Sequence, residues 1–216
     1  MRVLWLATLF VIGSINISNA SCPKKAKPFI PIIKEITERY WSDICPIEII
    51  PGQIYAESSW KIKAERKVGR EYGFGLAQIT IVKGYFNEWV EMRKRWPGEF
   101  DNWKWEDRFN PYFQIKFMVL YDKFLWNKVG FAKTRWDRWA FTLSSYNGGL
   151  GGLLKDRRIA KNRGCDPDIW FECVEKYSWR SNWAFKINRR YVKNIMTKFA
   201  PRYKDCFKSK PNRGGK

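Results

Sequence analysis

Apolar side chains recur at three- and four-residue steps through much of this chain, the spacing of one buried helical face. Ile32, Ile33, Ile36, Tyr40 and Trp41 predict a first helix over 30–42. Cys45-Pro46 breaks it, and Ile47, Ile50 and Ile54 mark a second, with Pro51 in the first turn, where its missing N–H costs nothing. Tyr85, Trp89, Met92 and Trp96 predict a helix over 82–95, ended by Pro97-Gly98. The clearest amphipathic stretch is Phe113, Phe117, Leu120 and Phe124. Trp139, Leu143 and Tyr146 predict a helix over 136–146, stopped before Gly148-Gly149, and a last helix spans 181–199. The charged run 61–71 and the stretch 99–111 around Trp103 and Trp105 read as loops. Period-two alternation is scarce, so the expected fold class is mainly α.

The two ends differ from the middle. Arg2, the apolar run Val3 to Ile12 and the small residues of Ser18-Asn19-Ala20 read as a secretory signal over 1–20, cleaved after Ala20. Export to the periplasm or the exterior follows. The apolar run is short for a membrane span, and an uncleaved anchor or lipidation at Cys22 are the alternatives. Residues 21–44 form a strap and the first helix, 45–200 the main domain, and 201–216 a basic tail. Export permits disulfides among the five cysteines. Cys165 and Cys173 flank the turn-forming Asp166-Pro167-Asp168 and are the expected local pair. With no CxxC, no zinc or redox site is expected.

Composition narrows the chemistry. The chain lacks histidine, which removes Ser-His-Asp and Cys-His schemes and histidine-based metal sites. Carboxylates, tyrosines, lysines and amides remain, and neither a cofactor nor a metal is expected. A net charge of +20 draws the chain toward polyanions. Thirteen tryptophans offer flat apolar faces suited to sugar rings, with Trp60 and Trp103 the groove candidates by position.

One stretch concentrates the chemistry. Glu57 falls about a turn after Ile54, near the end of the second helix and close to its apolar stripe. Poor hydration there raises a carboxyl pKa, and a protonated Glu at neutral pH is a general acid. Downstream stand Gly73, Gly75 and Gln78, a tight turn where backbone comes close to something, followed by an amide.

The order of these residues resembles the goose-lysozyme-like lytic transglycosylase domain, the soluble lytic transglycosylase (family 1) type. Its first motif, Glu-Ser, stands here as Glu57-Ser58. The second, Gly-Leu-Met-Gln, reads Gly75-Leu76-Ala77-Gln78, and the third, Ala-Tyr-Asn, reads Ser145-Tyr146-Asn147. The fourth, Glu-Thr-x-x-Tyr-Val, keeps Tyr191 and Val192, with Ile187 for the Glu and Asn188 for the Thr. The likeness spans roughly 45–200. It implies a lysozyme-like helical domain with a substrate cleft, Glu57 as the single acid and base, and Ser58, Gln78, Tyr146, Asn147 and Tyr191 at the sugar. Tyr146 would also hold the Glu57 carboxyl. Peptidoglycan strands and anionic envelope polymers are the implied partners of a monomer, with nucleic acid not expected. Two rivals remain. One is a muramidase on the same fold, its second acid drawn from Asp101, Glu106 or Asp107. The other is a non-catalytic cationic binder of envelopes or nucleic acid.

Overall fold

The structure, a computed structural model, describes residues 21–208, so the expected signal segment and the end of the basic tail lie outside it. Seven α-helices carry the fold: α1 (Ile30–Tyr40), α2 (Ile49–Ser58), α3 (Glu88–Arg95), α4 (Pro111–Lys128), α5 (Arg135–Gly148), α6 (Leu150–Asn162) and α7 (Asn182–Asn194). The mainly helical, lysozyme-like expectation matches this architecture. Side chains start several helices where the sequence supplies them. Thr134 Oγ1 accepts from Asp137 N at 3.0 Å, and Asn110 Oδ1 accepts from Tyr112 N at 3.0 Å. Each satisfies one of the four free N–H groups of a helix start.

Helix α2 sits at the centre. Ile49, Ile50, Pro51, Gly52, Gln53 and Ile54 are all buried, so it has no solvent face over its first turns. A helix apolar all round needs partners on every side. The chain end supplies some of them: α7 runs on into a π-helical turn, Ile195–Phe199, and a 3-10 segment, Ala200–Cys206. Gly52 makes that approach possible, because a Cβ there would lie 2.7 Å from Ala200 N. Within 201–206, read from composition as tail, Tyr203 enters the core at 2% exposed and Cys206 packs against it, while Pro201, Arg202 and Lys204 stay exposed.

Several sequence expectations need correction. The stretch 61–71 is no loop: β1 (Glu65–Val68) pairs antiparallel with β2 (Glu71–Phe74), which pairs with β3 (Ile79–Val82), and β3 with β4 (Phe86–Asn87). All four β1 residues are exposed, so the strand exists through backbone pairing and shows no buried alternation. Helix α3 starts only at Glu88, after the β3–β4 turn at Gly84 (φ 76°). Helix α6 was not expected, its glycine-rich start reading as a turn. Cys165–Cys173 is bonded, and a second bridge joins Cys22 to Cys206, leaving Cys45 free. A Cys22 sulfur held in that bridge is not available for a lipid.

Candidate active site

A groove runs between the small sheet and α7, floored by the ends of α2 and α5. Its central hollow, about 390 Å³, is lined by Glu57, Arg66, Gln78, Tyr146, Asn147 and Tyr191, among others. Five of the six sequence-predicted site residues therefore meet in one place, although they span 134 positions of sequence between Glu57 and Tyr191. The sixth, Ser58, lines an adjoining hollow.

Glu57 stands in the last turn of α2, half-buried at the groove floor. Burial pushes its carboxyl up to about 7, opposed by a hydrogen bond from Tyr191 and by the Arg66 charge. Tyr191 Oη donates to Glu57 Oε1 at 2.5 Å. That role had been expected of Tyr146. Instead Tyr146 Oη donates to Ala77 O at 2.8 Å, tying α5 to the Gly-Leu-Ala-Gln turn. Tyr55, two residues before Glu57, packs edge-on against Phe199, 4.8 Å between centroids.

The turn itself is tightly built. Gly75 has φ 77°, and a Cβ there would meet Gln114 Nε2 at 2.2 Å, so only glycine fits. Gln114 is fully buried, accepts from Ala77 N at 3.0 Å and donates to Arg108 O at 2.7 Å. Gln78 Nε2 donates to Gly75 O at 3.0 Å and more weakly to Ala64 O at 3.3 Å, which fixes the amide plane against the groove. Ser58 Oγ donates back to Ile54 O at 3.0 Å, leaving only its lone pairs for a ligand.

On the opposite wall, Asn147 Oδ1 accepts from Asn188 Nδ2 at 3.0 Å. Asn188, the replacement for the fourth-motif Thr, is buried and also donates to Ser144 O at 3.0 Å. Ile187, the replacement for Glu, lines the central hollow as an apolar group. Behind both lies Asp156, fully buried, ion-paired with Arg180 and with Arg189, the latter at 2.9 Å. Arg180 also donates to Gly148 O at 3.1 Å, fixing the end of α5 beside Asn147. Gln114, Asp156, Arg180 and Asn188 escaped sequence reasoning. Each acts across a separation of more than twenty residues, with no local pattern to mark it.

Other expectations moved. Trp60 and Trp103 are core residues, 6% and 1% exposed, their indole N–H groups bonded to Tyr203 Oη (2.9 Å) and Asp107 O (2.8 Å). Asp101, Glu106 and Asp107 do not line the groove; Glu71 does, ion-paired to Arg66 at 3.0 Å. A second hollow, about 250 Å³, continues the groove past Gln78 and Tyr146 to Phe86, Phe117 and Tyr121. Among the described residues no cluster of three or more acidic or sulfur side chains could hold a metal ion. No described helix is long and apolar enough to cross a membrane.

No family model matches the chain. It is similar to a protein named membrane-bound lytic murein transglycosylase F from Mannheimia succiniciproducens, 32% identical over 174 residues, which are 81% of this chain and 31% of that protein. Proteins of the same name from Vibrio cholerae (29% over 100 residues, 41% of this chain and 19% of the relative) and Actinobacillus succinogenes (27% over 154 residues, 65% and 32%) are also similar. The chain spans about a third or less of the length of these relatives.

Proposed function

We propose that this chain is a lytic transglycosylase domain of the goose-lysozyme-like type, acting on peptidoglycan glycan strands. Its reaction cleaves the β-1,4 bond between N-acetylmuramic acid and N-acetylglucosamine and leaves 1,6-anhydro-muramyl ends. The observation that carries the reading is Glu57: a carboxyl at the floor of a groove, titrating near 7 through burial and held by one phenol. The names of the relatives support the substrate class.

Protonated Glu57 gives its proton to the glycosidic oxygen as the C1–O bond breaks. The substrate's N-acetyl group stabilises the positive charge at C1. Ionised Glu57 then takes the proton of the 6-hydroxyl as that oxygen closes on C1, which returns the enzyme to its starting state without water. Intramolecular attack has a high effective molarity, so no enzyme nucleophile is required. A carboxyl near 7 suits both halves of this exchange. Gln78, Tyr146 and Asn147 line the hollow beside it and bind acetamido and hydroxyl groups; Tyr191 keeps the carboxyl aimed. Export by a leader over 1–20, action as a monomer and attraction to anionic envelope polymers belong to the same reading; nucleic acid does not.

A second reading, hydrolysis, has one observation in its favour: Glu71 lines the same hollow as Glu57 and could orient a water. Product analysis separates the two. Purified murein digested by the protein should yield anhydro-muramyl ends by mass spectrometry, and Glu57→Gln should bind murein yet lower the rate by about 10⁴-fold or more, the upper range for one acid–base group. Reducing ends would favour hydrolysis. A folded Glu57→Gln that keeps more than about a tenth of the rate would remove Glu57 from the chemistry.

A further inference from the structure

The groove does not end at the central hollow. Beyond Glu57 it opens into a third hollow, about 450 Å³, bordered by Ser58, Ser59, Lys61, Lys63, Glu65 and Arg66. The segment that forms this rim is built rather than loose. Ser59 and Trp60 are consecutive non-glycine residues with positive φ, 51° and 68°. Such backbone is strained for a residue with a side chain and persists only where its surroundings hold it. Here the hold is visible: the Trp60 ring is buried against Phe29, 5.3 Å between centroids, and Tyr203 takes its N–H. Backbone bonds from Lys61 N to Ser58 O and from Ala64 N to Lys61 O, both 3.0 Å, fix the turn. Gly75 N to Ala64 O, 2.8 Å, ties it to the turn bearing Gln78.

The charges on this rim are unequally matched. Arg66 is paired with Glu71, and Glu65 accepts from Tyr72 with Arg108 at 4.0 Å. Lys61 and Lys63 make no ion pair among the described residues, and both are exposed at the hollow's edge. Glu57, neutral up to about 7, offsets them little. Two uncompensated ammonium groups on a fixed turn beside the acid suit an anion carried on the substrate.

We propose that this hollow is a carboxylate-binding subsite for the substituent branching from the glycan next to the bond that is cut. The identity of the strand rests on the function proposed above. Two sources supply the carboxylate chemistry: the free lactyl group of a peptide-stripped strand, or the carboxyls of a stem peptide. The subsite makes the domain prefer acid-substituted strands over neutral ones.

Binding is measured in the Glu57→Gln background, so that no strand is consumed. The probes are peptide-bearing strands, amidase-stripped strands, and strands whose carboxyls have been converted to amides. Lys61→Gln/Lys63→Gln should weaken binding of a carboxylate-bearing strand by roughly tenfold at low salt, the scale of two exposed ion pairs, and the effect should fade as salt rises. A loss on the stripped strand alone assigns the lactyl group, a loss on the peptide-bearing strand alone assigns the stem, and a loss on both shows that the subsite takes either carboxylate. The amide strand should bind both forms equally. Lys24→Gln/Lys25→Gln, exposed positions on the strap, removes the same net charge and should change nothing. The proposal is overturned by no loss on either acidic strand, by an equal loss on the amide strand, or by an equal loss in the strap variant. Failure of the proposed function reads differently: the wild-type chain then releases no anhydro-muramyl ends, whatever the binding assay shows.

Discussion

At Glu57, burial and one phenolic hydroxyl pull in opposite directions. Burial disfavours the carboxylate, while the Tyr191 hydrogen bond and the Arg66 charge favour it, and the balance falls at about 7. On the proposed mechanism the free enzyme needs protonated Glu57, so kcat/KM should decline as pH rises through about 7. Tyr191→Phe removes a bond that lowers the pKa. The carboxyl then moves further up and the alkaline limb shifts to higher pH, while kcat at the optimum falls because the acid is less well aimed. A pH–rate profile of the variant checks this; a limb that stays put or moves to lower pH would show that the bond does not tune the acid. Glu57 itself was legible in the sequence as a Glu one turn beyond an apolar stripe. Its partner was not: the third motif offered a tyrosine equally well, and only the fold decides which hydroxyl reaches the carboxyl.

Among elements, α5, α6 and α7 are held together by Asp156, which lies on α6 and is fully buried between Arg180 and Arg189. Removing one partner of a buried ion pair strands the others, a loss of about 3–5 kcal/mol. Asp156→Asn should therefore lower the urea midpoint substantially. It should also cost more activity than a comparably destabilising change elsewhere, because Arg180 fixes Gly148 next to Asn147. A midpoint within error of wild type would show that the pair carries little net stability. Helices α1, α2, α4, α5 and α7 were readable from their apolar period. The sheet was not, because β1 is wholly exposed and pairs through its backbone. Helix α6 was not, because Gly149, Gly151 and Gly152 at its start carry a turn signature.

The whole molecule is closed by Cys22–Cys206, two sulfurs 184 residues apart in sequence. In the chain-entropy account a loop of that length stabilises by about 4 kcal/mol or more, against about 2–3 kcal/mol for the short loop between Cys165 and Cys173. The long bridge also pins the segment that packs on α2, beneath Glu57. Cys22→Ser/Cys206→Ser should thus lower Tm by more than Cys165→Ser/Cys173→Ser, and the reduced wild type, lacking both bridges, should melt below either variant. The reverse order by calorimetry would mean that the unfolded chain does not feel the long closure. Local turn chemistry pointed to the short pair; the long one had no signature, since its partners meet only when folding brings the strap before α1 to the 3-10 segment after α7.

The sequence by itself determined the class of fold and which residues gather in the groove around Glu57. Apolar period reports which side of a helix faces inward, and a run of four short motifs in order pins Glu57, the Gly75–Gln78 turn, Tyr146-Asn147 and Tyr191 to one groove. Both signals are local in the chain, so they survive without coordinates. Tertiary structure alone decided which tyrosine holds the acid, that Trp60 and Trp103 are core rather than groove, and that Glu71 rather than the 101–107 acids lines the cleft. It also decided that Gln114 and Asp156 brace the walls. Those outcomes depend on distances between elements far apart in sequence, set by packing around a fully buried α2, and no spacing rule along the chain encodes them.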